Sequence, residues 1–273
     1  MSRSIRVGTS GFSYPDWKGI FYPPGREARD FLAYYAQHFD TCELNFTYYR
    51  MPDARTMDSM VCKSGGRVEF TVKAFQAMTH TRDAPAEVVA SFVDALRPLR
   101  EARAFGALLL QFPFSFKRDT ANKDYALRLV GGLRAGWDDI PIVIELRHKS
   151  WVSDEVFTWL RTNGLGFCCV DEPRVENLMP PVSVATGPVA YVRFHGRNAA
   201  KWWKHENPAE RYDYRYADDE LEAWAPRIRA LASVAEKTFV FFNNHFQAKA
   251  VDNAKRLLAL LSEAPPWEEG AQA

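Results

Sequence analysis

Three pairs of polar residues stand two positions apart: Glu43 with Asn45, Glu145 with Arg147, and Arg193 with His195. Residues two apart on an extended strand share a face, so each pair is expected to point one way. If those faces converge, two carboxylates, two guanidinium groups and an imidazole meet. Such a set can do acid–base chemistry, with Glu43, Glu145 or His195 moving a proton while Arg147 and Arg193 hold an anionic group. Asn45 and Asn244 would orient hydroxyls, with Asn243 and His148 beside them. The same residues equally describe an internal ion-pair network, in which the arginines make burial of the carboxylates tolerable.

Glu43, Glu145, His148, Asp171 and His195 also include ligand types suited to zinc, manganese or magnesium. No HxH or HExxH spacing accompanies them, and two arginines would set positive charge beside the cation. A divalent metal is therefore the disfavoured reading. Phosphate is a separate matter: Arg193, His195, Gly196 and Arg197, followed later by Asn243 and Asn244, suit the phosphate position of many barrels. Lys201 and Lys204 read as solvated. Among the aromatic residues, Tyr14, Trp17, Trp151, Tyr212 and Tyr214 are the ligand-contact candidates, and Phe21 and Tyr22 read as packing. Cys42, Cys168 and Cys169 read as core thiols. The chain has no P-loop, GxGxxG or GxSxG motif, so no nucleotide cofactor or serine hydrolase is indicated.

Positioning these groups requires a scaffold, and eight short apolar runs supply one: 5–9, 41–45, 68–73, 107–112, 140–146, 166–171, 189–194 and 238–243. Several are continuously apolar, as in Ile142-Val143-Ile144, which suits parallel strands covered on both faces. Helical periodicity lies between most of them. Val88, Val89, Phe92, Val93, Leu96 and Leu99 form one stripe, and Ser153 caps another helix that Gly164 ends. Alternation of strand and helix predicts a single-domain α/β fold, a (β/α)₈ TIM barrel. After the sixth strand Pro173, Pro180, Pro181 and Pro188 leave no room for a helix, and after the seventh a polar-aromatic segment, 197–216, reads as a lid-like loop. The barrel is expected over 1–264, with a frayed tail at 265–273.

In this architecture catalytic groups lie at the C-terminal strand ends. Those ends carry Glu43 and Asn45, Lys73, Gln111, Glu145 and Arg147, Asp171 and Glu172, Arg193 and His195, and Asn243 with Asn244. The motifs Gly8-Thr-Ser-Gly-Phe-Ser-Tyr-Pro-Asp-Trp, Glu43-Leu-Asn-Phe-Thr-Tyr-Tyr, Gln111-Phe-Pro, Glu145-Leu-Arg-His-Lys-Ser-Trp, Arg193-Phe-His-Gly and Phe242-Asn-Asn occur in that order. In this the chain resembles the YecE-like proteins, domain-of-unknown-function family 72. The resemblance implies a TIM barrel and no particular reaction.

Composition bounds the partners. Thirty-five basic against 34 acidic side chains in 273 residues, net +1, lack the basic excess of a dedicated polyanion binder. No secretory leader or membrane-length apolar stretch is legible, and the cysteines form no disulfide framework, so a cytoplasmic location is expected. The combined reading is an enzyme (an isomerase, hydrolase or lyase) that binds a small polar anionic ligand, such as a sugar phosphate or glycoside, at the barrel mouth. The competing reading is a non-catalytic module for single-stranded nucleic acid or a protein partner. Oligomeric state is not legible in the sequence.

Overall fold

Continuously apolar runs flanked by turn residues must be buried on both sides, and the chain arranges them in one closed cylinder. The computed structural model describes residues 4–262. Its strands are β1 (Ser4–Ser10), β2 (Thr41–Leu44), β3 (Glu69–Lys73), β4 (Phe105–Gln111), β5 (Ile142–Glu145), β6 (Gly166–Asp171), β7 (Val189–Phe194) and β8 (Lys237–Phe242). All neighbours are parallel and in chain order, and β1 pairs with β8 to close the barrel. Every residue of β2, β4, β5, β6 and β7 is buried. The 265–273 tail lies outside the described residues.

Three of the longer surrounding helices begin where a side chain satisfies a free amide of the first turn. Asp53 accepts from Thr56 N, Asp119 from Asn122 N and Ser153 from Val156 N. The expected stripe from Val88 to Leu99 is not one helix. It divides into Ala86–Ala95 and Arg97–Glu101, because Pro98 has no amide to give and its ring collides with the carbonyl four residues back. Residues 172–188 contain no helix, as their prolines imply. The 197–216 segment is more ordered than a bare loop: it holds the helix Ala199–Trp202 and the 3₁₀ turn Pro208–Tyr212.

The barrel interior is aromatic below and charged above. Phe239 and Phe241 stack near the axis, with the Tyr191 ring 5.2 Å from Phe241. Gly106 makes room for this plug, since a Cβ there would stand 2.6 Å from the Phe239 ring. The Tyr191 hydroxyl points upward, donating to Glu43 at 2.8 Å and lying 2.8 Å from Thr71 Oγ1. That hydroxyl is where the apolar plug ends and the charged layer begins.

Candidate functional site

One strand position above the plug, Arg193 on β7 lies between two carboxylates. Its Nη2 is 2.6 Å from Glu43 Oε1 on β2, and its Nη1 is 2.6 Å from Glu145 Oε2 on β5. Cys168 Sγ lies 3.8 Å from the same Glu145 oxygen. Glu145 also meets Arg147 Nε at 2.5 Å and His195 Nε2 at 3.3 Å through Oε1. Burial alone would raise the Glu145 carboxyl; Arg147, Arg193 and His195 outweigh it and hold the group well below the usual carboxylate range. His195 is pushed well below its ordinary value by burial and by Arg147, so its ring is neutral. Asn243 Nδ2 lies 3.1 Å from His195 Nδ1. With the amide donating there, the single ring proton sits on Nε2 and faces Glu145.

Arg147 joins this layer to the mouth. Its Nη1 lies 2.8 Å from Glu172 Oε2, while Glu172 Oε1 accepts the Met179 amide at 3.0 Å. Burial lifts Glu172 to about 7; Arg147 opposes the rise and the charge of Glu145 adds to it. Above lies a polar cavity of about 280 Å³, walled by Lys73, His80, Gln111, Arg147 and Arg211, with the rings of Tyr48, Tyr49, Phe114, Trp203 and Tyr212. The Lys73 ammonium lies 4.0 Å from the centre of the Tyr48 ring and, among the described residues, has no ion pair or hydrogen bond. Burial, then Arg193, lowers its pKa to about 7. Burial, then Lys73, lowers His80 to about 4. A neutral imidazole and a half-charged amine therefore share the cavity near pH 7.

Of the expected site residues, the structure brings Glu43, Glu145, Arg147, Arg193, His195 and Asn243 into one cluster and sets Tyr212 on the cavity wall. The others go elsewhere. β2 ends at Leu44, and Asn45 takes helical angles, φ −101° and ψ −16°, so the alternation that would align it with Glu43 stops short. Asn45 and Tyr14 line a separate, largely apolar cavity of about 460 Å³ with Phe12, Leu44 and Phe46. Trp17 and Trp151 are wholly buried, their indoles donating to His245 O and Phe116 O, so they pack rather than face a ligand. His148 accepts the Ser150 amide, Tyr214 donates to Glu220, and Asn244 donates to Tyr214 O and Asn253.

Two groupings of these residues do not form. The five candidate metal ligands do not assemble: Asp171 accepts from Arg197, Tyr216 and Trp224, away from Glu145. Among the described residues no three His, Cys, Asp or Glu side chains are grouped to hold a metal ion. The expected phosphate position is also taken up internally, since Arg193 binds two glutamates, Arg197 binds Asp171 and Glu220, and Lys201 binds Glu210. Cations without a carboxylate partner line the mouth instead: Lys73, and Arg211, whose Nε donates to Trp202 O. Lys73 was visible as a strand end, but a lone lysine carries no chemical signal until burial changes its proton affinity. Tyr48 and Tyr49 stand in the motif that begins at Glu43, and Arg211 in the lid-like segment 197–216, but nothing in the order of residues singled them out; His80 lies on a connecting segment.

Residues 6–272 match the family model described as "Protein of unknown function DUF72". The chain belongs to the DUF72 family. The UPF0759 protein YunF of Bacillus subtilis (strain 168) is 32% identical over 273 residues, 94% of each chain. A DUF72 family protein crystal structure from Thermotoga maritima MSB8 superposes with a TM-score of 0.85 at 37% identity, covering 95% of this chain and 99% of that one. Another DUF72 protein, from Enterococcus faecalis V583, gives 0.82 at 25% identity, covering 96% and 97%. DUF72 membership thus extends over the barrel and the strand ends that build the mouth. No helix among the described residues is long and apolar enough to cross a membrane.

Proposed function

We propose that this DUF72 protein is an enzyme whose mouth cavity takes a small polar ligand carrying an anionic group, of sugar-phosphate or glycoside type. The observation that carries the reading is Lys73: an amine without an anionic partner, in a cavity whose other cations are Arg147 and Arg211. A half-buried ammonium without a carboxylate partner is costly, and an anionic ligand supplies the missing partner. Aromatic walls suit the apolar faces of a sugar ring, while Gln111 and the tyrosine hydroxyls offer partners to its hydroxyls. The volume suits a ligand of a few carbons plus one charged group.

Within this reading Lys73 exchanges protons, because its pKa near 7 matches the ideal for a general acid or base. Glu43 and Glu145 act as fixed counter-charges that hold Arg193 and Arg147 in place. His195 positions Glu145 rather than carrying a proton itself. The acid–base role thus passes from the floor of the barrel to the amine above it. Four free thiols, three of them buried, accord with a cytoplasmic setting.

The test is a thermal-stabilisation screen of anionic sugar phosphates on the native chain, Lys73→Met and Arg211→Ala. Stabilisation by at least one compound, weakened tenfold or more in both variants, is the expected result. Equal responses in all three proteins would remove the assignment. A second reading, a surface for single-stranded nucleic acid, has one observation in its favour: Tyr49 and Trp203 are 74% and 51% exposed at the lip, where bases could stack. Steeply salt-dependent oligonucleotide binding, lost in Trp203→Ala, would select it.

A further inference from the structure

The cavity floor presents a lysine whose backbone is fixed and whose amine is free. β3 pairs Lys73 with Leu109 of β4, and the Lys73 carbonyl accepts the Thr47 hydroxyl at 2.6 Å. The side chain therefore leaves a rigid strand end and enters the cavity beside the Tyr48 ring. Four other lysines are tied to carboxylates. Lys123 pairs with Glu155, Lys201 with Glu210, Lys237 with Glu69 and Lys249 with Asp213. Lys73 is half-buried and has no carboxylate within ion-pair distance. Arg193 and Arg147 oppose its charge, the more distant Glu145 and Glu43 favour it, and burial is the largest influence.

We propose that Lys73 is an imine-forming lysine, and that the ligand of the mouth is a small anionic aldehyde, ketone or keto acid. This inference deepens the reading above and rests on the mouth cavity being the ligand site. Chemistry follows from the neutral amine. The nitrogen lone pair attacks the carbonyl carbon, a C–N bond forms, and the C=O π pair moves to oxygen. That oxygen takes up the proton released by nitrogen, giving a carbinolamine. The C–O bond then breaks, the nitrogen lone pair forms C=N, and the hydroxyl leaves with a second nitrogen-derived proton as water. The sum is carbonyl plus amine to imine plus water, with no change of oxidation state. An imine withdraws electrons from the neighbouring carbon, which is the shared requirement of enzymes that break or form carbon–carbon bonds next to a carbonyl.

Burial makes the amine competent at neutral pH. A lysine with pKa near 7 is about half neutral at pH 7, about a thousandfold more than an ordinary surface lysine. Arg147 and Arg211, on the same cavity wall, would take the carboxylate or phosphate and turn the carbonyl toward Nζ. The cavity, about 280 Å³, has room for such a compound.

The experiment is reductive trapping of the full-length protein with sodium cyanoborohydride, using pyruvate and glyceraldehyde 3-phosphate as probes at pH 7. We expect a saturable single adduct, with the mass of the probe less one oxygen, mapped by peptide sequencing to Lys73. It should be absent in Lys73→Arg, and its rate should rise to a plateau above pH 7. Glycerol 3-phosphate, which has the charge but no carbonyl, should stabilise the protein thermally and slow the trapping. Stabilisation by glycerol 3-phosphate without any Lys73 adduct overturns the imine and leaves the anion site standing. Neither stabilisation nor adduct overturns both. Adducts spread over surface lysines, unchanged in Lys73→Arg, also overturn the imine.

Discussion

Arg193 Nη2 lies 2.6 Å from Glu43 Oε1, with 2% and 0% of the two side chains exposed. Because Nη1 is equally close to Glu145, one guanidinium neutralises two carboxylates in the barrel interior. Removing it leaves both without that partner. Breaking a buried pair from one side costs about 3–5 kcal/mol, so Arg193→Met is expected to lose at least that much in urea denaturation. A loss below about 1 kcal/mol would mean that water reaches the cluster.

Stability should dip near neutral pH. Glu172 rises from 4.5 to about 7 on folding, so its contribution is complete below the unfolded value and is lost as pH rises through 7. Lys73 falls from 10.5 to about 7, so its contribution is complete above the unfolded value and is lost as pH falls through 7. Each limb has a slope of at most about 1.4 kcal/mol per pH unit. Denaturant titrations at pH 5, 7 and 9 measure it. Lys73→Met should flatten the alkaline limb alone, and an unchanged alkaline limb in that variant would contradict the burial of this amine.

His195 should not titrate between pH 5 and 8. Burial and Arg147 disfavour its charged form, and Asn243 favours the Nε2–H tautomer. Long-range ¹⁵N–¹H NMR of the imidazoles reads both properties directly. A midpoint near 6.5, or a proton on Nδ1, would displace His195 from the role of orienting Glu145.

Two tryptophans should separate packing from recognition. Trp151 is wholly buried, its ring 5.6 Å from Phe116, whereas Trp203 is 51% exposed on the cavity lip. Trp151→Ala is expected to cost about 3–5 kcal/mol. Trp203→Ala should change stability by less than about 0.5 kcal/mol yet weaken ligand binding severalfold. Calorimetry on both variants checks the pair, and the reverse pattern would place the ligand elsewhere.

Strand number, order and closure were all readable along the chain, because parallel strands covered on both faces must be apolar throughout and helices must repeat at 3.6. The strand-end rule also reached Glu43, Glu145, Arg147, Arg193 and His195, which do converge. It failed at Asn45, where the strand stops one residue early; Trp17 and Trp151, chosen instead as aromatic contacts, are wholly buried as packing.

What the sequence determined by itself was therefore the cylinder and the identity of the groups carried to its upper end, both consequences of local periodicity. What only the tertiary structure decided was which charges neutralise one another. Arg193 looked like an anion holder and is occupied by two glutamates; Lys73 looked ordinary and stands in the mouth cavity without a carboxylate partner. That division depends on distances of a few ångströms between strands far apart in the chain, and on burial that moves proton affinities by several units. Neither is written in the local order of residues.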